Sequence, residues 1–167
     1  NAGASDYFGI VVSISGDTIV VGAHGEDSNQ RYITNATTAS NNNGYTDSGA
    51  AYVFVRSGTS WAQQAYLKAS NVGSSDQFGR QVTVWSDTIV VGAQNEDSSQ
   101  RTVSSGNVAS SNNGVTDSGA AYKFVRSGSS WSQQAYLKAP NTGTSSDYFG
   151  QAVAVWGDTI AVGAGYE

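Results

Sequence analysis

An all-β fold assembled from repeated four-stranded units is predicted by three features of this 167-residue chain. The first is repetition. DSGAAYVFVRSGTSWAQQAYLKAS, from Asp47 to Ser70, returns as DSGAAYKFVRSGSSWSQQAYLKAP, from Asp117 to Pro140. Residues 6–69 and 76–139 align without a gap and are identical at 42 of 64 positions, and a third copy then begins. The second is the content of each copy, short runs rich in β-branched and aromatic residues that suit a pleated, half-buried surface. The third is the lack of a sustained 3.6-residue apolar period. Gly and Ser recur too often for helices of useful length.

Phe8 to Ser15 (FGIVVSIS) forms the first strand. A turn at Gly16-Asp17 leads into Thr18 to Ala23 (TIVVGA), which is apolar on both faces and therefore expected between two layers. A long polar loop runs from His24 to Ser48. Gly49 to Arg56 (GAAYVFVR) is the third strand, and Ser57-Gly58-Thr59-Ser60 closes a hairpin onto the fourth, Trp61 to Ala69. That last strand is the most polar and is expected at the outer edge. The landmarks keep step along the chain. Phe8-Gly9, Phe78-Gly79 and Phe149-Gly150 open the copies, and Gly22-Ala23, Gly92-Ala93 and Gly163-Ala164 close their second strands. The spacing is 70 residues and then 71, the additional residue falling within 142–146.

A lone four-stranded sheet has two apolar faces and can cover neither. Four antiparallel strands repeated at this period suggest β-propeller blades, in which each sheet is the wall for the next. The expected units are a blade at 1–69, a second at 70–139, and the first two strands of a third at 140–167, about two and a half blades.

Composition narrows the function classes. Thirteen acidic and eight basic residues give a net charge of −5, against the basic stripe that nucleic acid requires. No run of about 18 apolar residues exists to span a membrane. With no Cys there are neither disulfides nor thiol chemistry. Abundant Ser, Thr, Asn and Gly with few Lys and Glu point to an extracellular or cell-surface protein. Without an initiator Met or a visible signal peptide, the chain reads as a processed product or as a piece of something longer.

The pattern FG…(S/G)DTIVVGA…DSGAAYVF resembles the FG-GAP repeat, found in the N-terminal β-propeller of integrin α subunits and in many bacterial surface and secreted proteins. The resemblance covers nearly the whole chain. It rests on Phe8-Gly9, Gly22-Ala23, Phe78-Gly79, Gly92-Ala93, Phe149-Gly150 and Gly163-Ala164 in register. It implies a seven-bladed ring, with loops 24–48 and 94–118 on one ligand-binding face. The remaining blades would come from the same chain or from other copies. One feature departs from the family. Many of its repeats carry a DxDxDG calcium loop between strands one and two, and here that hairpin holds only Asp17, Asp87 or Asp158. One carboxylate cannot supply the six to eight oxygens calcium takes, so Asp17 and its counterparts are expected as turn residues bonding their own backbone.

The acidic clusters lie in the long loops. Glu26-Asp27 with Asp47 recurs as Glu96-Asp97 with Asp117, and Glu167 begins a third set. Two readings stand. Carboxylates from both ends of a loop converge on calcium, completed by carbonyls and Asn side chains. Alternatively, Asp47 and Asp117 form Asx turns into strand three, while Glu26 pairs with Arg31 and Glu96 with Arg101. The tracts Ser40–Gly44 and Ser110–Gly114 read as sugar-bonding groups or as solvated loop tips. Asn35-Ala36-Thr37 matches a glycosylation sequon, though Ser105 stands at the second copy's Asn35 position.

Catalysis finds no constellation. His24 is the only histidine, its counterparts are Gln94 and Gly165, and no positioned nucleophile accompanies it. Glu26 with Asp47 has the look of a glycosidase pair, but that pair is duplicated with its scaffold, which suits a structural or multivalent role. Repeated Trp61 and Trp131, and Trp85 and Trp156, are expected in inter-blade packing, with sugar stacking as the alternative for the second pair. The expected function is a non-enzymatic adhesion or binding module that takes a protein or glycan on its loop face. The alternatives are a structural unit of a surface layer or fibre, and an accessory propeller of a secreted hydrolase.

Overall fold

The computed structural model describes residues 3–143 and 145–166. Among them there are eleven strands and no helix: β1 (Val11–Ser15), β2 (Thr18–Ala23), β3 (Ala50–Ser57), β4 (Ser60–Leu67), β5 (Gln81–Trp85), β6 (Thr88–Ala93), β7 (Ser104–Ser105), β8 (Ala120–Ser127), β9 (Ser130–Leu137), β10 (Ala152–Trp156) and β11 (Thr159–Gly163). Sheet one has the order β1-β2-β3-β4, sheet two the order β5-β6-β8-β9-β7, and β10-β11 form a hairpin. The long pairings are antiparallel and in the same register in both copies. Gly22 lies opposite Ala51 and Gly92 opposite Ala121, and both third-to-fourth pairings carry a bulge, after Val53 and after Lys123.

The first strand of each copy starts later than the apolar run suggests. Tyr7, Gly9, Gln77, Gly79, Tyr148 and Gly150 all have positive φ, so the Phe-Gly segment is a hook that precedes the strand. Its role is contact between sheets. Gly79 N donates to Gly92 O at 3.1 Å within its own sheet, while Gly79 O lies so close to Gly22 that a Cβ there would sit 2.1 Å away. Gly150 O meets Gly92 in the same way, also at 2.1 Å. The Phe-Gly of one unit therefore locks onto the Gly-Ala of the unit before it, which accounts for both landmarks.

Inner strands stack: β1 packs on β5 and β5 on β10. Ser13 Oγ accepts from Val84 N at 3.1 Å and Ser15 Oγ from Ser86 N at 3.0 Å. Side chains alternate across each inner strand. Val82 and Val84 face sheet one and are 6% and 5% exposed, while Trp85 turns towards β10 and meets Trp156 with ring centres 5.9 Å apart. The tryptophans of the inner strands thus pack on one another across the inter-sheet gap. Phe78 is fully buried, edge-on to Tyr122 at 5.2 Å and Phe124 at 6.0 Å. Each such side chain removed from water contributes about 1.5–3 kcal/mol. At the leading face of sheet one, the counterparts Phe8, Val12 and Ile14 are 57–65% exposed.

At the far end of the sheets, Asp17 does more than turn the chain. Its Oδ1 accepts from Arg56 Nε at 2.8 Å and its carbonyl from Arg56 N at 2.9 Å. Asp87 repeats the side-chain bond with Arg126 at 2.8 Å. The partner 39 residues away could not be read from a local turn pattern. No helix among the described residues is long and apolar enough to cross a membrane.

Candidate functional site

Both long loops leave the end of β2 or β6 and return at the start of β3 or β8, so they share one end of the stack. That end is built around a buried ion pair. Lys68 Nζ, just past β4, lies 3.1 Å from Glu26 Oε2, 2.9 Å from Ser48 Oγ and 2.6 Å from Gly49 O. Lys138 repeats the set with Glu96 at 3.0 Å, Ser118 at 2.7 Å and Gly119 O at 2.6 Å. All three ammonium hydrogens thus have acceptors. Ser48 Oγ donates on to the carbonyls of Glu26 and Ser28. Burial pushes the Lys68 and Lys138 pKa values down and that of Glu96 up, and the attraction within each pair opposes the change.

These contacts replace the expected Glu26–Arg31 and Glu96–Arg101 pairs. Lysines 42 residues away take the glutamates, and Arg31 instead reaches Tyr45 Oη at 3.4 Å on the surface. Asp27 Oδ1 accepts the backbone N–H of Asp47 at 2.8 Å, and Asp97 that of Asp117 at 2.8 Å. Asp47 and Asp117 are in the left-handed region, at φ +50° and +54°, and their carbonyls accept from Gln77 N and Tyr148 N in the next unit at 3.0 Å. They therefore join one unit to the next through their backbones. Burial, then the charge of Asp97, raises the Asp117 pKa. No group of three or more His, Cys, Asp or Glu among the described residues is placed to hold a metal ion. The third counterpart, Glu167, lies outside the described residues.

The loops are braced internally. Asn42 Oδ1 accepts from Asn29 N at 2.9 Å and Asn112 Oδ1 from Ser99 N at 2.8 Å, which gives the Asn tracts a structural use. Asn35, the sequon residue, clasps β9 of sheet two. Its Nδ2 donates to Trp131 O at 3.1 Å and its Oδ1 accepts from Trp131 N at 2.7 Å. Trp131 is 2% exposed and its Nε1 donates to Gln64 at 2.8 Å. Asn71 makes a second clasp, giving its Nδ2 to Glu96 Oε1 at 2.8 Å and taking the Tyr122 hydroxyl on its Oδ1 at 2.7 Å.

Between the units, at the loop end, lie two equivalent clefts. In the first, His24 is buried and stacks on Tyr7 with ring centres 4.9 Å apart and planes 4° apart. Arg80 donates to its Nε2 at 3.1 Å. Burial, and then the Arg80 charge, lower the His24 pKa, with Asp47 opposing. His24 is a packed neutral ring, and among the described residues no nucleophile is hydrogen-bonded to it. In the second cleft the corresponding residues are Gln77, Gln94 and Gln151, and a cavity of about 670 Å³ is open there.

The family model for FG-GAP repeats matches residues 1–54, 61–124 and 131–167. No curated protein matches the chain. The matched segments are offset by one strand from the sheets: the segment 61–124 begins with β4 of sheet one and ends within β8 of sheet two.

Proposed function

The chain belongs to the FG-GAP repeat family, and from that premise we propose that it is a non-catalytic extracellular β-propeller segment that binds a protein or glycan through its loop end. The observation that carries this reading is the duplicated Lys–Glu–Ser anchor. It fixes both ends of each long loop and leaves residues 41–44 and 111–114 exposed at the tips. Exposed loops on a rigid sheet scaffold are where binding residues concentrate. The glutamates that a hydrolase would use are engaged by lysines within the same anchor, which supports a role without catalysis. Replacing Asn41, Asn43, Ser111 and Asn113 by Gly, with the bracing Asn42 and Asn112 kept, tests the reading on arrays of glycans and purified extracellular proteins. Loss of a specific signal with an unchanged circular-dichroism spectrum is expected. Retained binding, or silence of the native chain on both arrays, would overturn it.

A second reading, a self-assembling structural unit, is favoured by the leading face of sheet one. Val12 and Ile14, 62% and 65% exposed, stand where Val82 and Val84 of sheet two are covered by a neighbouring sheet. Light scattering across a concentration series tests it: mass that rises with concentration supports assembly, and a folded monomer throughout removes it.

A further inference from the structure

We propose that the cleft between sheet two and the β10-β11 hairpin binds an acidic monosaccharide, with the carboxylate on Arg80. This rests on the loop end being the binding end and adds the ligand's chemistry. The cavity, about 670 Å³, falls in the size range of small-molecule sites, roughly 300–1,000 Å³. Among the described residues lining it, Arg80 is the one charged side chain, in a chain whose net charge is −5. The rest is chiefly uncharged polar: Gln94 and Gln151 offer carboxamides, each both donor and acceptor, while the Asn95 side chain bonds the Asp117 carboxylate. Tyr148 and Tyr166 meet edge-to-face at 5.5 Å and give one wall an aromatic surface.

The neighbouring cleft shows why this one is open. There, the Tyr7–His24 stack occupies the equivalent space and takes a hydrogen bond from Arg80. One guanidinium nitrogen is thereby fixed by a neutral acceptor, and among the described residues Arg80 forms no ion pair with a carboxylate. The planar guanidinium matches a carboxylate with two parallel N–H donors. Carboxamides match ring hydroxyls, and the tyrosine edge-face pair matches the apolar C–H face of a pyranose. A neutral sugar would leave the arginine unsatisfied, so the site selects for the acid.

Chemical-shift titration of the full chain with sodium galacturonate and with galactose tests the assignment. Saturable shifts at Arg80, Gln94 and Gln151 are expected with the acid, with galactose at least about tenfold weaker. Arg80→Gln is expected to abolish the preference. Gln94→Leu, which leaves the arginine and its histidine contact in place, is expected to weaken both sugars about fivefold while keeping the preference. No saturable shifts up to about 50 mM acid, equal affinity for the two sugars, or an unchanged preference in folded Arg80→Gln would each overturn the proposal. Should Arg80→Gln not fold, Gln94→Leu decides, because unchanged binding of the acid excludes the cavity. Array binding that survives in folded Arg80→Gln would leave the loop-end reading standing and remove only this site.

Discussion

Lys68 and Lys138 are ammonium groups shut away from water, and each is stabilised only because three acceptors surround it. Removing one partner of such a pair strands the other. Lys138→Met is expected to lower unfolding free energy by about 3–5 kcal/mol in urea titrations, and Lys138→Met with Glu96→Leu to recover most of that. A loss below about 1 kcal/mol in the single variant would mean that Glu96 is solvated. Asp76 behaves differently. Burial, reinforced by Glu96, pushes its carboxyl up to about 7, against the opposing Gly73 N–H at 2.7 Å. The folded pKa exceeds the unfolded one, so the protonated form favours the fold. Its stabilising contribution is complete below about pH 4 and is lost as pH rises through about 7. Asp76→Asn keeps an acceptor for Gly73 and cannot ionise. Its melting temperature at about pH 8 should exceed that of the native chain, and the native chain's gain between about pH 8 and 5 should shrink in the variant; calorimetry across that range checks both. Gly92 makes a steric prediction. A methyl there meets Gly150 O at 2.1 Å, so Gly92→Ala should cost about 1–3 kcal/mol and loosen β10 on β5, read as faster amide exchange in β10.

At the scale of elements, the sequence made the strands legible and hid their fastenings. TIVVGA, GAAYVFVR and the Trp-led fourth runs are strands within a residue or two of where the apolar and β-branched residues place them, because side-chain period and turn residues are local signals. Even the offset of β1 has a local cause, the positive-φ hook at Tyr7 and Gly9, though nothing in FGIVVSIS marks it. The Glu26–Lys68 and Asn35–Trp131 contacts span 42 and 96 residues. Periodicity carries no information at such separations, so the sequence offers the loop glutamates calcium or the nearby Arg31 and Arg101 as partners and gives Asn35 no structural role. β7 was hidden for the same reason: Ser104 and Ser105 have no strand propensity and are held by pairing with Tyr136 and Ala135. Asn35→Ala removes both bonds to Trp131. It should cost about 1–3 kcal/mol and speed exchange of the Trp131 amide, with β1 unaffected. If exchange at Trp131 is unchanged, the clasp is not closed in solution.

For the molecule as a whole, the arrangement predicts indifference to calcium. Glu26 and Glu96 are held by lysines, Asp27 and Asp97 each accept a backbone N–H, and no three acidic or histidine side chains among the described residues converge on a metal position. Adding calcium or a chelator should therefore leave the melting temperature within about 1 °C. A rise of several degrees would return Asp27, Asp47, Asp97 and Asp117 to consideration as ligands. The one-strand offset between the matched segments and the sheets reaches further. A gene duplicated in steps of one such segment never copies a finished sheet. Every new segment arrives carrying the rim strand of its predecessor and lacking its own, so it must be stitched into the row before either is complete. Length in such a lineage changes by whole stitches, and a break at a segment border leaves a ragged edge on both sides.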